Sequence, residues 1–312
     1  MHRYLKYIDK NIKSKEGEVM CNKKILAIIF ALLAAILYAI NFPLSKLLLE
    51  HVGPTMMASY LYLGAGIGIG IVFLFTRKHA IEYEKIEKKD SIYVIGMIVL
   101  DIIAPILLML GLSDSASSSA SLLNNFEIVA TSLIALIIFK EEISKRMWLA
   151  IALITFSSFF LSFEDIEHFK FSWGSILVLL ATICWGFENN CTRNLANKNT
   201  YQVVFLKGIF SGLGSLVVAL IIGETFPAFL YFALALILGF VAYGLSIFFY
   251  IKVQKDLGAA KTSAYYSVSP FVGSLLSFFI FDEGLQWTFY VGLVIMLLGT
   301  IIVVRDTLKS ES

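Results

Sequence analysis

The sequence predicts an all-α integral membrane protein whose ten transmembrane helices form two inverted five-helix repeats. Three observations predict it. Apolar runs of close to 20 residues recur from end to end, lysine and arginine collect in alternate loops, and the second half of the chain echoes the first. About 20 apolar residues is the length a helix needs to cross hydrocarbon. Of the 312 residues, 58% are hydrophobic and 15% charged, against roughly 45–50% and 25% in soluble domains. Mean hydropathy is +0.82. No polar stretch is long enough to fold as a separate soluble domain. The chain therefore divides into an N-terminal segment (1–24), a first repeat (25–163), a second repeat (172–304) and a short tail (305–312).

Cutting at the polar punctuation puts spans near 25–48, 54–76, 91–112, 115–139, 146–163, 172–193, 201–223, 227–251, 258–281 and 287–304. The first apolar run follows a basic flank, as in a signal peptide. It is too long for a typical h-region of about 7–15 residues, and it has a repeat partner later in the chain, so it is read as a membrane helix. Residues before Met20 are expected to be dispensable, because KEGEVM at 15–20 is what a translated ribosome-binding site ahead of a start at Met20 would encode.

Ten spans put both termini on one side, and the positive-inside rule assigns that side to the cytoplasm. Of the 25 lysines and arginines, 22 fall in the N-terminal segment, the tail and the loops of that side. They run from Arg3 through Arg77, Lys88, Lys140, Arg193, Lys198 and Lys255 to Lys309. The opposite loops hold Lys170 alone, beside acidic residues such as Glu50, Asp114, Glu164 and Glu224. Lys46 and Lys207 lie within spans. A wrong helix count would scramble this alternation. The expected location is the cytoplasmic membrane, multi-pass, with the lipid bilayer as partner.

The repeat is visible in two places. The first span reads LAAILYAINFPLSK and the sixth LLATICWGFENNCTR; at an offset of 147, Tyr38 falls on Trp185, Asn41 on Glu188 and Lys46 on Arg193. At an offset of 142, the fourth span falls on the ninth, Phe139 on Phe281 and Glu141 on Glu283. An odd number of spans per repeat forces opposite orientations, and the loop charges obey: KEEISKR after the fourth span is basic, whereas DEGLQW after the ninth has no basic residue. Inverted repeats with a site at their interface are the common design of secondary transporters.

These residues also carry a resemblance. ASSSASLLNNFEIVATSLIALIIFKEEI and LGAAKTSAYYSVSPFVGSLLSFFIFDEGL, with the Trp185-Gly186 pair of the sixth span, resemble the EamA-type branch of the drug/metabolite transporter superfamily over roughly 25–304. The resemblance implies a ten-helix transporter of small organic metabolites. Relatives move amino acids, nucleosides, sugar-linked metabolites and drugs, so it does not fix the substrate. In one respect the sequence departs from the family pattern. Glu127 is followed by Ile128 where the family commonly has proline, which removes the sequence ground for a backbone break in the fourth span; Pro270 stands in the ninth.

An ionisable side chain at membrane depth is costly and needs a partner, a wet cavity or a function. Glu127 and Asp101 lie mid-span and are the expected carriers of proton coupling. Ala120, Asn124, Glu127 and Thr131 share one helical face by spacing, and the repeat maps them onto Thr262, Tyr266, Ser269 and Gly273. The two stripes are expected to line a central cavity with Asn41, Trp185, Asn189 and Tyr265; the alternative is interhelical hydrogen bonding. Glu188 and Lys207 come to matching depths on neighbouring spans and are expected to form a structural ion pair. Gly64, Gly66, Gly68 and Gly70 make two interleaved GxxxG pairs, which favour close helix contact over ligand binding.

The expected function is secondary transport of a small organic metabolite, an amino-acid-like solute or similar, in the export direction and coupled to protons. An intramembrane enzyme is the alternative, and a non-transporting scaffold the next. The sequence has no G-x-S-x-G or H-E-x-x-H, the patterns of a nucleophile elbow or a zinc protease. Its three cysteines (Cys21, Cys184, Cys191) fit neither a disulfide framework nor a zinc site, and its four histidines lie outside the apolar runs. No metal, cofactor or nucleic-acid partner is expected, and a homodimer stays open.

Overall fold

The computed structural model describes residues 23–76, 84–115, 117–161, 173–281 and 287–309. Among these, every regular element is a helix; a single isolated bridge joins Glu84 to Lys198. The helices are α1 (Lys23–Leu48, with a turn at Ile40), α2 (Pro54–Thr76), α3 (Ser91–Ser113), α4 (Ser117–Leu123), α5 (Phe126–Ile137), α6 (Lys145–Leu161) and α7 (Trp173–Asn194). Then come α8 (Thr200–Ile221), α9 (Phe229–Leu238), α10 (Ser246–Tyr266), α11 (Ser269–Phe281) and α12 (Trp287–Lys309). A π-helical turn, Gly239–Leu245, joins α9 to α10 without a loop.

Six helical stretches among the described residues are long and apolar enough to cross a membrane. The outward faces agree. On α3, Ile92, Ile95, Val99 and Ile103 are exposed, while Met97, Asp101, Ala104 and Leu108 are buried. On α8, Phe210, Leu213, Val217 and Leu220 are exposed, while Lys207, Ser211 and Ser215 are buried. The polar groups face inward and the apolar stripes outward, the reverse of a water-soluble helix. Hydrocarbon is the surrounding that such stripes fit.

Small residues bring the helices together, because two apolar surfaces in lipid gain little from burial and must gain from close packing. A Cβ at Gly64 would strike the Leu236 carbonyl of α9, one at Gly208 the backbone of Gly66, and one at Gly239 the backbone of Leu61. The glycine row of α2 is thus where that helix is held between α8 and the α9–π turn. Three buried or part-buried side chains close helix ends, where backbone groups have no intrahelical partner. Glu224 accepts from the amides of Thr55 (3.0 Å) and Met56 (2.6 Å) at the start of α2. Lys46 donates to the carbonyls of Leu112 (2.8 Å), Ser113 (3.2 Å) and Ser115 (2.8 Å) at the end of α3. Glu141 accepts from Ala259 (3.2 Å) just after Gly258.

Gly258 has φ +78° and ψ 173°, a conformation glycine alone adopts readily. The helix kinks there with no intervening loop. The charged residues at 252–257 predict a connection between spans; instead the helix runs on through them to Gly258. A helix end that projects beyond hydrocarbon meets water, so its charge does not end it.

The fourth span differs from expectation more instructively. It is broken at Asn124–Asn125, between α4 and α5, with no proline. The ladder there tightens to three-residue spacing, Glu127 N–H to Asn124 O (3.0 Å) and Ile128 N–H to Asn125 O (3.1 Å). Asparagine has low helix propensity, and the Asn124 side chain turns to the Glu127 carboxylate across the break. A second break, Ser267–Val268, separates α10 from α11. α4 lies along α11, joined by Ser121 Oγ to Pro270 O (3.1 Å) and Ser277 Oγ to Ser117 Oγ (3.0 Å). α5 lies along α10.

Candidate functional site

A cavity of about 40 Å³ lies where α1, α2, α5, α7, α8, the π turn and α10 converge. Its walls are largely aromatic: Tyr38, Tyr62, Trp185, Tyr243, Tyr250 and Tyr266. Tyr38 is their hub, with ring centroids 5.2 Å from Tyr266, 5.6 Å from Tyr243 and 6.3 Å from Trp185. Tyr243 belongs to the π turn, and single π turns inside helices are frequent at functional sites.

Four ionisable side chains lie in or behind these walls. Lys207 is bound by two carboxylates, Glu188 at 2.8 Å and Asp101 at 3.1 Å. Tyr62 donates to the other Asp101 oxygen at 2.6 Å, and Thr192 donates to Glu188. The fourth group, Glu127, stands apart. It accepts from Asn189 Nδ2 at 2.7 Å and Asn124 Nδ2 at 3.4 Å. No ammonium or guanidinium among the described residues forms an ion pair with it. On its other side lies a smaller chamber of about 10 Å³, lined by both helix breaks: Asn124, Asn125, Ser263, Ser267 and Pro270, with Tyr266. Glu127 therefore lines both spaces.

Of the residues singled out in the sequence, the structure brings Glu127, Trp185, Glu188, Asn189, Lys207 and Tyr266 to the cavity. Asp101 stands behind Lys207, fully buried. Asn41 does not line the cavity; it accepts from Ser45 (2.7 Å) and reaches Tyr243 Oη at 3.5 Å. Asn124 lines the smaller chamber. Tyr265 is placed apart: one residue from Tyr266, it turns about 100° around the helix and donates to Thr307 of α12 at 3.1 Å. Ser269 is buried at the start of α11 and lines neither space. Tyr62, Tyr243 and Tyr250 are not marked by any motif in the sequence, and Tyr38 is marked there only by its place in the repeat. For Tyr62 and Tyr243 the signal was a tyrosine inside a span, away from its ends, where a hydroxyl needs a polar partner; Tyr250 stands at the end of the span read as 227–251 and carried no such signal.

The helices, their apolar exteriors and this polar centre define a multi-pass membrane protein. The chain belongs to the EamA-like transporter family, which matches residues 25–163 and 172–305. It is 27% identical to an uncharacterized transporter of Methanothermobacter thermautotrophicus, over 92% of this chain and 88% of that one. It is 22% identical to the uncharacterized transporter YyaM of Bacillus subtilis, over 84% and 88%. A solved structure with 14% identity superposes with a TM-score of 0.74, covering 92% of this chain and 98% of that one, which speaks for the fold alone. The family and relatives indicate a membrane transporter rather than an enzyme.

Proposed function

We propose that the protein carries a small organic metabolite out of the cell across the cytoplasmic membrane, by alternating access coupled to proton entry. The observation that carries this reading is Glu127: a buried carboxylate without an ion-pair partner among the described residues, shared between a central cavity and a chamber at the two helix breaks. A charge there is costly, and intramembrane carboxylates facing a cavity mark proton and substrate pathways.

Ten spans in two inverted repeats is the architecture this reading uses, and several contacts support it. Dividing Phe229–Phe281 at Gly258, and counting α4 with α5, α6 and α7 as spans, gives ten. The breaks at Asn124–Asn125 and Ser267–Val268 are 143 residues apart, within one residue of the 142 offset read from the sequence. Loops assigned to one side meet one another. Lys198 pairs with Asp90 (3.1 Å) and Glu84 (3.4 Å), and Ser144 and Lys261 both reach Asp306 (2.7 and 3.5 Å). At the other end Glu224 meets Thr55, and Asp114 meets Gly174. The cavity has room for only a few waters, so a metabolite has to widen it, in keeping with a closed stage of an alternating cycle. Rocking of one repeat against the other would open it to each side in turn.

Uptake of radiolabelled solutes by inside-out vesicles, compared with heat-treated vesicles, tests the reading. Protein-dependent uptake that collapses with the pH gradient is expected; its absence for every solute class would contradict transport.

A further inference from the structure

Resting on the transporter reading above, we propose that the solute is an organic ammonium ion with no free carboxylate, its charged head seated against the tyrosine rings beside Glu127. The first ground is the pairing of the buried acidic groups. Asp101, Glu127 and Glu188 are 0%, 7% and 2% exposed and face a single buried cation, Lys207. Lys207 pairs with Asp101 and Glu188, so Glu127 is the carboxyl at this centre left without an ion pair among the described residues. In a low-dielectric site, uncompensated charge of one sign favours a ligand of the other.

The second ground is what the donors are doing. The Lys207 ammonium is already bound by Glu188 at 2.8 Å and Asp101 at 3.1 Å. The Asn189 amide donates to Glu127 at 2.7 Å and to Thr131 at 3.1 Å. A solute carboxylate or phosphate would have to displace one of these bonds in a site that holds three carboxyl groups and one ammonium. An ammonium has an acceptor open to it, since Glu127 lines the cavity itself.

The third ground is the wall. Tyr38 and Tyr266 have centroids 5.2 Å apart at 31°, and Tyr62, Tyr243 and Tyr250 continue the lining. Aromatic faces attract cations through the ring quadrupole, and several rings around one pocket is the arrangement that recognises alkylated ammonium groups. About 40 Å³ holds an ammonium head now; the organic body enters as the rings spread.

Binding to the purified full-length protein in lipid nanodiscs tests this with probes of one shape and three charges: phenethylammonium, 2-phenylethanol and 3-phenylpropionate. Phenethylammonium is expected to bind roughly tenfold or more tightly than the alcohol, with the carboxylate weakest. Glu127→Gln, nearly isosteric, should erase the difference between cation and alcohol. Should that variant fold poorly, Tyr38→Phe is expected to keep the preference for the cation and Tyr38→Leu to reduce it. A carboxylate probe binding as tightly as the ammonium, a preference untouched by Glu127→Gln and Tyr38→Leu, or no binding by any ammonium from methylammonium to tetraethylammonium would overturn the proposal. Proteoliposome flux separates the two readings. Protein-dependent flux of an uncharged or anionic probe alone overturns the cation class and leaves a transporter; no flux of any probe contradicts both.

Discussion

Glu127 and Lys207 are both buried carriers of charge, yet they invite opposite experiments. Glu127 is held by two amides, so glutamine preserves its shape and packing while fixing the uncharged form. In proteoliposomes Glu127→Gln should abolish accumulation driven by a pH gradient while retaining solute-for-solute exchange. Wild-type accumulation with unchanged dependence on the gradient would reduce Glu127 to interhelical packing. Lys207→Met instead strands two carboxylates, Asp101 and Glu188, and breaking a buried ion pair costs about 3–5 kcal/mol. Folded yield by fluorescence-detected size exclusion should drop sharply. Adding Glu188→Gln should recover only part of it, because Asp101 stays charged; adding Asp101→Asn as well should recover most. The Glu188–Lys207 contact was legible from matching depths along neighbouring spans. Asp101 was read as an independent carboxylate, because its partner lies on a span far away in sequence and side-chain reach is not written in residue spacing. The cavity tyrosines were hidden by abundance, since aromatics make up 14% of the chain and a single one carries little signal.

Helix extents were largely legible: 54–76 and 91–112 in sequence against Pro54–Thr76 and Ser91–Ser113 in structure. Hydrocarbon thickness sets those limits, and apolar content reports it directly. Interruptions were legible only where a residue type announces them. The Asn124–Asn125 break and the π turn at Gly239–Leu245 were not, because each depends on what neighbouring helices supply. Gly258→Ala should cost about 1–3 kcal/mol, since φ +78° with ψ 173° strains any side chain. Gly66→Leu should be worse, because its Cβ meets the Ile209 amide nitrogen at 2.7 Å, a backbone atom that cannot turn aside. Gly70→Ala meets only the Phe205 ring, nearest at 3.0 Å, and should be tolerated. Thermal unfolding in detergent ranks the three, and equal losses would contradict the packing account.

At the scale of the whole molecule, the recurring apolar runs made an all-helical, multi-pass membrane protein readable, because hydrocarbon imposes one length on every crossing. The cavity's contents were less so, since six helices and a π turn contribute to it and no local pattern gathers them. Cysteines placed at Glu50 and Thr225 should react with an impermeant maleimide from outside intact cells, and those at Lys88 and Lys255 should not. Labelling at Lys255 from outside would contradict the inverted arrangement. The most direct test of the central claim is solute accumulation by proteoliposomes of purified protein under an imposed pH gradient, with tetraethylammonium, whose fixed charge keeps it from distributing passively with pH, as solute. The account predicts concentration above equilibrium on the acidic side, lost on dissipating the gradient and lost with Glu127→Gln. Flux that only equalises concentrations, identical with and without the gradient, would contradict it.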